Sequence, residues 1–293
     1  MNYRAITTLA TGLACATFIL ATPPRAIAQA APADPVFSAL TTGTPAERAA
    51  VAKSLAALGP KGAPALVSLV RAMEVETDEA VVGEIFIALA KIGLGDATEV
   101  DELVRILKTK PDTDAASRAA IRLVRWAGSG RPEVDRAIPT LIASVSSKHL
   151  GVRAGCAISL GALGARAQAA LPALTAQLKA EPEVEGDVNA KSYLIGAIIQ
   201  IYAATDPLCG AFAGDNGIGV ESNRDHTGVY YCTITLNGNE FKGTAPVATP
   251  AVGTFKTPDG AQFPFKLTPT PDGVQLESGN SAYRLKRQTK PTG

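Results

Sequence analysis

Histidine is nearly absent from this chain of 293 residues: His149 and His226 are the only two. No His-Glu pair or paired-cysteine spacing lies near either, so no protein-built metal shell of convergent ligands is expected. Cysteine is scarce as well, with four residues, and a Cys-rich framework of the kind that replaces a core in small secreted domains is ruled out. Lys and Arg number 28 against 27 Asp and Glu, a formal charge of +1. No excess or clustering of basic residues marks a polyanion-binding face, which argues against a nucleic-acid partner. Gly-x-Ser-x-Gly elbows and phosphate-cradling glycine loops are also missing. Length and ordinary apolar content leave room for two cored domains.

Long hydrophobic runs are confined to the amino terminus. Arg4 supplies a short positive region, residues 5–21 carry no charge, and Ala26-Ile27-Ala28 or Ala28-Gln29-Ala30 offers small residues for cleavage. This is the layout of an export signal, with cleavage expected after Ala28 or Ala30. Pro23, Pro24 and Arg25 end the apolar run after about 17 residues, near the minimum for a membrane span. Cys15 is followed by further apolar residues, whereas a lipidated cysteine would end such a region. Loss of residues 1–30 removes two basic residues, Arg4 and Arg25, and no acidic ones, so the balance becomes −1. A periplasmic or secreted location follows, without membrane insertion after signal removal.

What is abundant is helical periodicity, from Asp34 to about Thr205. Thr44-Pro45-Ala46-Glu47 combines a cap hydroxyl, a proline at the first helical position and a carboxylate at the third, so a helix begins at Pro45. Ala50, Val51, Leu55 and Leu58 share one side of it, and Gly59-Pro60 ends it. A partner helix runs from about Ala63 through Met73. The unit returns three times, around Gly93, Gly128 and Gly164, and the four hinge glycines are 34, 35 and 36 residues apart. Two amphipathic helices at a fixed period in the thirties predict a stacked solenoid.

The fourth copy is the most complete. Val152-Arg153-Ala154, Ala157, Leu160, Gly161 and Leu163-Gly164, with the second-helix tripeptides Pro64-Ala65-Leu66, Pro139-Thr140-Leu141 and Pro172-Ala173-Leu174, give residues 34–205 a resemblance to the HEAT-like repeat family. The resemblance implies a right-handed α-solenoid and specifies fold, not activity. Gly151 stands where the family usually has an acidic residue, and the second copy lacks both the arginine and the proline. Some HEAT-like proteins are hydroxylases that bind iron through repeated His-Glu pairs; this chain has no such pair, and no cofactor is expected.

A last helix, about residues 188–204, is apolar around much of its circumference, as suits a junction element. The acidic run from Glu181 to Asp187 before it reads as carboxylates near a helix start rather than a calcium site. After Asp206-Pro207 the pattern changes to short alternating runs with turns at Asn237-Gly238, Asp259-Gly260, Asp272-Gly273 and Gly279-Asn280. Seven strands are expected, over 218–223, 228–236, 240–247, 252–257, 262–268, 274–277 and 281–287. They form a meander closing into a small antiparallel barrel or sandwich. The domains are therefore 1–30 (signal), 31–205 (helical repeats) and 206–293 (β domain).

Within the β domain, Phe241, Phe263 and Tyr283 each follow a turn, and with Phe265 they are expected to fill the interior. Cys209 and Cys232 are expected to form a disulfide, stabilising the domain by roughly 3 kcal/mol on the chain-entropy model. Cys156, on an apolar helix face, reads as a buried, inert thiol. Arg284 and Lys286 occupy a solvated strand face.

These features together describe a non-catalytic exported scaffold of the bacterial envelope that binds a protein partner through the concave, second-helix face. Candidate contact residues are the polar ones on or beside second helices: Lys61, Arg71, Glu102, Arg105, Arg136 and Lys179. The alternatives are a small-ligand carrier using the barrel and an enzyme with an inter-domain site.

Overall fold

The computed structural model describes residues 34–182, 190–215, 217–257 and 260–288. The described residues fall within one compact unit. The expected signal segment, most of the acidic run after Pro182 and the basic end at Lys290 lie outside the described residues.

Ten α-helices are found among the described residues: α1 (Pro35–Thr41), α2 (Pro45–Ala57), α3 (Leu66–Val75), α4 (Glu79–Ile92), α5 (Ala97–Thr109), α6 (Asp114–Ala127), α7 (Ile138–Ser144), α8 (Leu150–Leu163), α9 (Leu171–Ala180) and α10 (Ala190–Thr205). Helix α2 starts where its capping box dictates. Thr44 Oγ1 accepts from the Glu47 amide at 3.3 Å, and Glu47 Oε2 accepts from the Thr44 amide at 2.7 Å, satisfying two orphan donors at once. Helix α1 was not anticipated, although Asp34-Pro35 signals it in the same way: the Asp34 carboxylate accepts from the Val36 and Phe37 amides.

The hinge pattern holds with two local changes. Gly59, Gly93 and Gly164 adopt φ of 54°, 99° and 55°, but the left-handed residue of the third copy is Gly130, at φ 72°. Gly128 stays helical at φ −71° and caps α6. In the first, third and fourth copies a 3-10 segment (Gly59–Ala65, Pro132–Ala137, Gly164–Ala170) leads into the second helix. The second copy has no proline there. Its α5 instead starts from Asp96, whose carboxylate accepts from the Thr98 amide at 2.9 Å.

Buried apolar side chains from α1 to α10 make one continuous core, with Leu69, Met73, Ile85, Leu103, Trp126 and Leu160 among the fully enclosed. Helix α8 packs on α6 and on α10, and glycine makes those contacts close. A Cβ on Gly155 would lie 2.8 Å from the Ala120 Cβ, and one on Gly161 would lie 2.9 Å from the Ala197 Cα.

Eight strands follow among the described residues: β1 (Gly210–Ala213), β2 (Ile218–Arg224), β3 (Val229–Leu236), β4 (Asn239–Pro246), β5 (Ala251–Lys256), β6 (Gln262–Thr270), β7 (Gly273–Ser278) and β8 (Ser281–Arg287). They pair in sequence order as a closed antiparallel barrel, which settles barrel against sandwich. The strand missed in the sequence is β1, four residues long. It pairs with both β2 and β8 and so closes the ring. Inside, Phe255 and Phe265 stack with ring centroids 4.0 Å apart. Gly253, paired with Phe265, leaves room for that ring: a Cβ there would lie 2.7 Å from it.

The expected disulfide is not formed; Cys209 and Cys232 are both free and buried. Register explains it. Gly210 pairs with Ser222, and Ser222 pairs with Cys232, so β2 lies between the two cysteines. Two strand spacings amount to about 9–10 Å, beyond the ~7 Å Cα separation a disulfide can span. Cys232 Sγ instead sits 3.3 Å from Ser222 Oγ.

Asp206, just past α10, joins helices to barrel. Its Oδ2 accepts from the Tyr230 hydroxyl at 2.7 Å and from Arg224 Nη1 at 3.1 Å, and the Arg224 guanidinium lies 3.8 Å over the Tyr202 ring of α10. Burial and the neighbouring Asp206 carboxylate push the Tyr230 hydroxyl pKa up. Arg287, on the inward side of β8, donates to the carbonyls of Cys209 and Pro207 at 2.7 and 2.8 Å.

Candidate interaction surface

Helices α3, α5, α7 and α9 contact one another in order and present the second-helix face. Clefts lie between them. One of about 450 Å³ is bordered by Pro64 and Val67 on the α3 side and by Asp96, Thr98 and Glu99 at the start of α5. Another, of about 490 Å³, lies between the end of α5 and α7, against Lys108, Pro111, Pro139, Thr140, Ala143 and Ser147. Proline, small and hydroxyl side chains line much of both clefts, with Asp96 and Glu99 bordering the first and Lys108 the second.

Three of the six candidate contact residues, Arg71, Glu102 and Arg105, are engaged with one another. Arg71 Nε donates to Glu102 Oε1 at 3.0 Å; Arg105 donates to the same oxygen at 3.0 Å and also to Glu74, which in turn holds Lys110 at 2.9 Å. Glu102 is only 9% exposed, so it is the buried anchor of two arginines and not an exposed contact residue. Burial pushes the Glu74 pKa up, but hydrogen bonds from Arg105 and Lys110 outweigh it and the net direction is down. Arg136 reaches Asp101 through two bonds of 2.9 and 2.7 Å. Lys61 is exposed in the first 3-10 segment. Lys179 borders a third cleft, of about 440 Å³, with Leu178, Ile195 and His226. The structure thus brings Arg71, Glu102 and Arg105 together in one network and leaves Lys61, Arg136 and Lys179 apart from it. The cleft residues themselves, Thr140 and Ser147 among them, were missed, because hydroxyls on a short helix and in the loop after it give no periodic signal.

Arginines also fasten the first and fourth helix pairs. Arg48 on α2 holds Glu76, the residue ending α3, through bonds of 2.7 and 2.9 Å. Arg153 on α8 holds Glu181, the residue ending α9, at 2.6 Å and donates to the carbonyls of Ser147 and Lys148. Both pairs are 28 residues apart in sequence. Arg153 is the structural arginine the family resemblance implied, and the acid it holds lies at the end of the partner helix. Beside Arg48 the Glu76 carboxyl is pulled down to about 2. In the third copy the residue 28 positions beyond Arg118 is Ser146, and Arg118 turns back instead to the carbonyl of Glu76 and the carboxylate of Glu79. One helical turn on, Arg122 is buried against Glu99 at 2.6 Å and donates to the carbonyls of Leu89 and Gly93 at the end of α4. The Arg118–Arg122 pair, set among alanines, was the legible sign of this polar junction and went unread.

No reactive centre emerges from these groups. Burial drives the Cys156 thiol up to about 12, only weakly opposed by the Ser144 hydrogen bond. His149 Nε2 lies 3.0 Å from Asp114 Oδ1 at the starts of α8 and α6. Among the described residues no three or more His, Cys, Asp or Glu side chains converge as a metal shell, and no helix is long and apolar enough to cross a membrane.

Residues 100–187, from α5 to just beyond α9, match the sequence model of a family described as HEAT repeats. The match lies within the helical region, and a closed antiparallel β-barrel follows it. Among curated proteins none matches it. A crystal structure described as an engineered protein is similar at 21% identity and a TM-score of 0.38, over 58% of this chain and 48% of that one, so the chain spans about half of that protein's length.

Proposed function

We propose that this protein is a non-catalytic scaffold, exported to the periplasm or secreted, that binds a protein partner along the second-helix face of a right-handed solenoid. The observation that carries the reading is the ion-pair network over α3 and α5. Arg71, Glu102, Arg105 and Glu74 hold one another, so the polar side chains of this stretch of α3 and α5 are held in place before a partner arrives. Association then costs little side-chain ordering, the main advantage a repeat scaffold brings to recognition. The HEAT-repeat match supports this, since that family is generally non-catalytic and mediates protein contacts. Export rests on the amino-terminal pattern of Arg4, the uncharged run and the small residues before position 31.

A photo-crosslinking amino acid placed at Ala143 or Lys108, within the α5/α7 cleft, is expected to trap a discrete partner in envelope extract. The same group at Ser54, on the solvent side of α2, is expected to trap none. Equal or absent adducts at both places would rule out the second-helix face. Amino-terminal sequencing of the mature protein checks export, and the expected first residue is Gln29 or Ala31; an intact Met1 in the envelope fraction refutes cleavage.

A further inference from the structure

The two ends of the barrel are finished differently. At the end next to α10, Leu208, Phe212 and Tyr230 are buried and Arg287 lies 4.8 Å over the Phe212 ring, so that end is plugged. At the far end, where the turns at Asn237-Gly238 and Gly279-Asn280 join the strands, the inward residues do not meet. They leave a cup of about 310 Å³. Its floor is Ile234, Phe255 and Leu276, all buried; its walls include Phe241, Phe263 and Tyr283. Phe263 is 49% exposed there although it has the same inward parity as buried Phe265 and Leu267. Four aromatics were expected to fill the interior, and only Phe265 does so fully; Phe241, Phe263 and Tyr283 line an opening.

We infer that this cup is a binding site for a small, uncharged, ring-bearing molecule with one neutral hydrogen-bonding end. Shape sets the size class: the ring of eight strands closes the cup on every side, and the volume is at the lower limit of small-molecule sites, about 300 Å³. Flat aromatic walls suit a ring in offset or edge contact. Polarity sets the charge. Among the described residues no Lys, Arg, Asp or Glu lines the cup, so a bound ion would lose its water without gaining a partner from them. The polar groups at the rim are hydroxyls. Ser278 is already committed to the Pro264 carbonyl at 2.9 Å and Thr257 to the Ala261 carbonyl at 3.0 Å, which leaves the hydroxyls of Ser281 and Tyr283 to meet a neutral donor or acceptor.

The full chain titrated with N-phenyl-1-naphthylamine, an uncharged fluorescent probe, is expected to give a saturable rise in emission. 1-Naphthol should displace the probe, while 1-naphthoate, the same ring bearing a carboxylate, should need a concentration roughly tenfold higher or more. Ser281→Trp, which fills the mouth, should weaken probe binding about tenfold, and Val252→Trp on the exposed outer face of β5 should leave it unchanged. Should Ser281→Trp fail to fold by circular dichroism, Phe263→Ser, at a half-exposed wall position, replaces it with the same expected direction. Non-saturable emission, equal binding by the mouth variant and wild type, or naphthoate competing as well as naphthol would each overturn the proposal.

Discussion

Helices α6 and α8 touch through small residues, with Gly155 set against Ala120, whereas among the described residues α4 and α6 hardly approach one another. Helix α6 shows both modes. Its buried alanines Ala116, Ala119 and Ala120 belong to the apolar core, while Arg118 and Arg122 reach the end of α3 and the two ends of α4. One repeat boundary is thus held by close packing, which gains dispersion from many short contacts. The other is held by a buried ion pair, whose strength depends on every charged atom keeping its partner. It falls at the second copy, the one without the family's arginine and proline, where α6 contacts α3 and α5 instead of lying along α4.

Breaking the polar junction should have the largest effect. Arg122→Met leaves the Glu99 carboxylate, 1% exposed, without its cation, and is expected to cost about 3–5 kcal/mol in urea denaturation. Adding Glu99→Leu should recover most of that loss, because an apolar pair of similar volume removes the stranded charge. A double variant no more stable than the single one would mean that the arginine acts only through the α4 carbonyls.

The Arg48–Glu76 fastening gives the next effect, and it depends on pH. Glu76 is held at about 2 against an ordinary 4.5, so its stabilisation is fully present above 4.5 and is lost as pH falls toward about 2. The contribution at neutral pH is on the order of 3 kcal/mol at most. Denaturation midpoints measured across that window should fall more steeply for wild type than for Glu76→Gln, and parallel curves would remove Glu76 from the account. The close-packed boundary should answer to size and not to pH: Gly155→Val is expected to cost about 2 kcal/mol by overpacking. An unchanged midpoint would show that α6 and α8 can separate, and the contrast between the two boundaries would dissolve.

Local signals in the chain carried far. Thr44-Pro45-Ala46-Glu47 placed the start of α2, and the spaced glycines located four helix pairs, because caps and left-handed hinges are decided within a few residues. The third hinge fell at Gly130 and not Gly128, a shift invisible where two candidate glycines stand two positions apart. Strand β1 escaped notice since four residues hold too little alternation to read, and its role lies in pairing with β8 some seventy residues away. The disulfide expectation failed for a related reason: sequence proximity of Cys209 and Cys232 says nothing of the strand between them. Glu102 looked like a surface acid on α5 until Arg71 and Arg105 closed over it.

By itself the sequence determined that this protein has a stack of helix pairs followed by a β domain, since amphipathic period, caps and turns are local properties of the chain. Only the tertiary structure decided which surfaces remain open. Whether an arginine is free or paired, and whether an inward phenylalanine meets the core or water, depends on groups 28 residues distant or on the far side of the barrel. The two clefts of the second-helix face and the cup at the barrel's far end exist because those distant groups stop short of filling them.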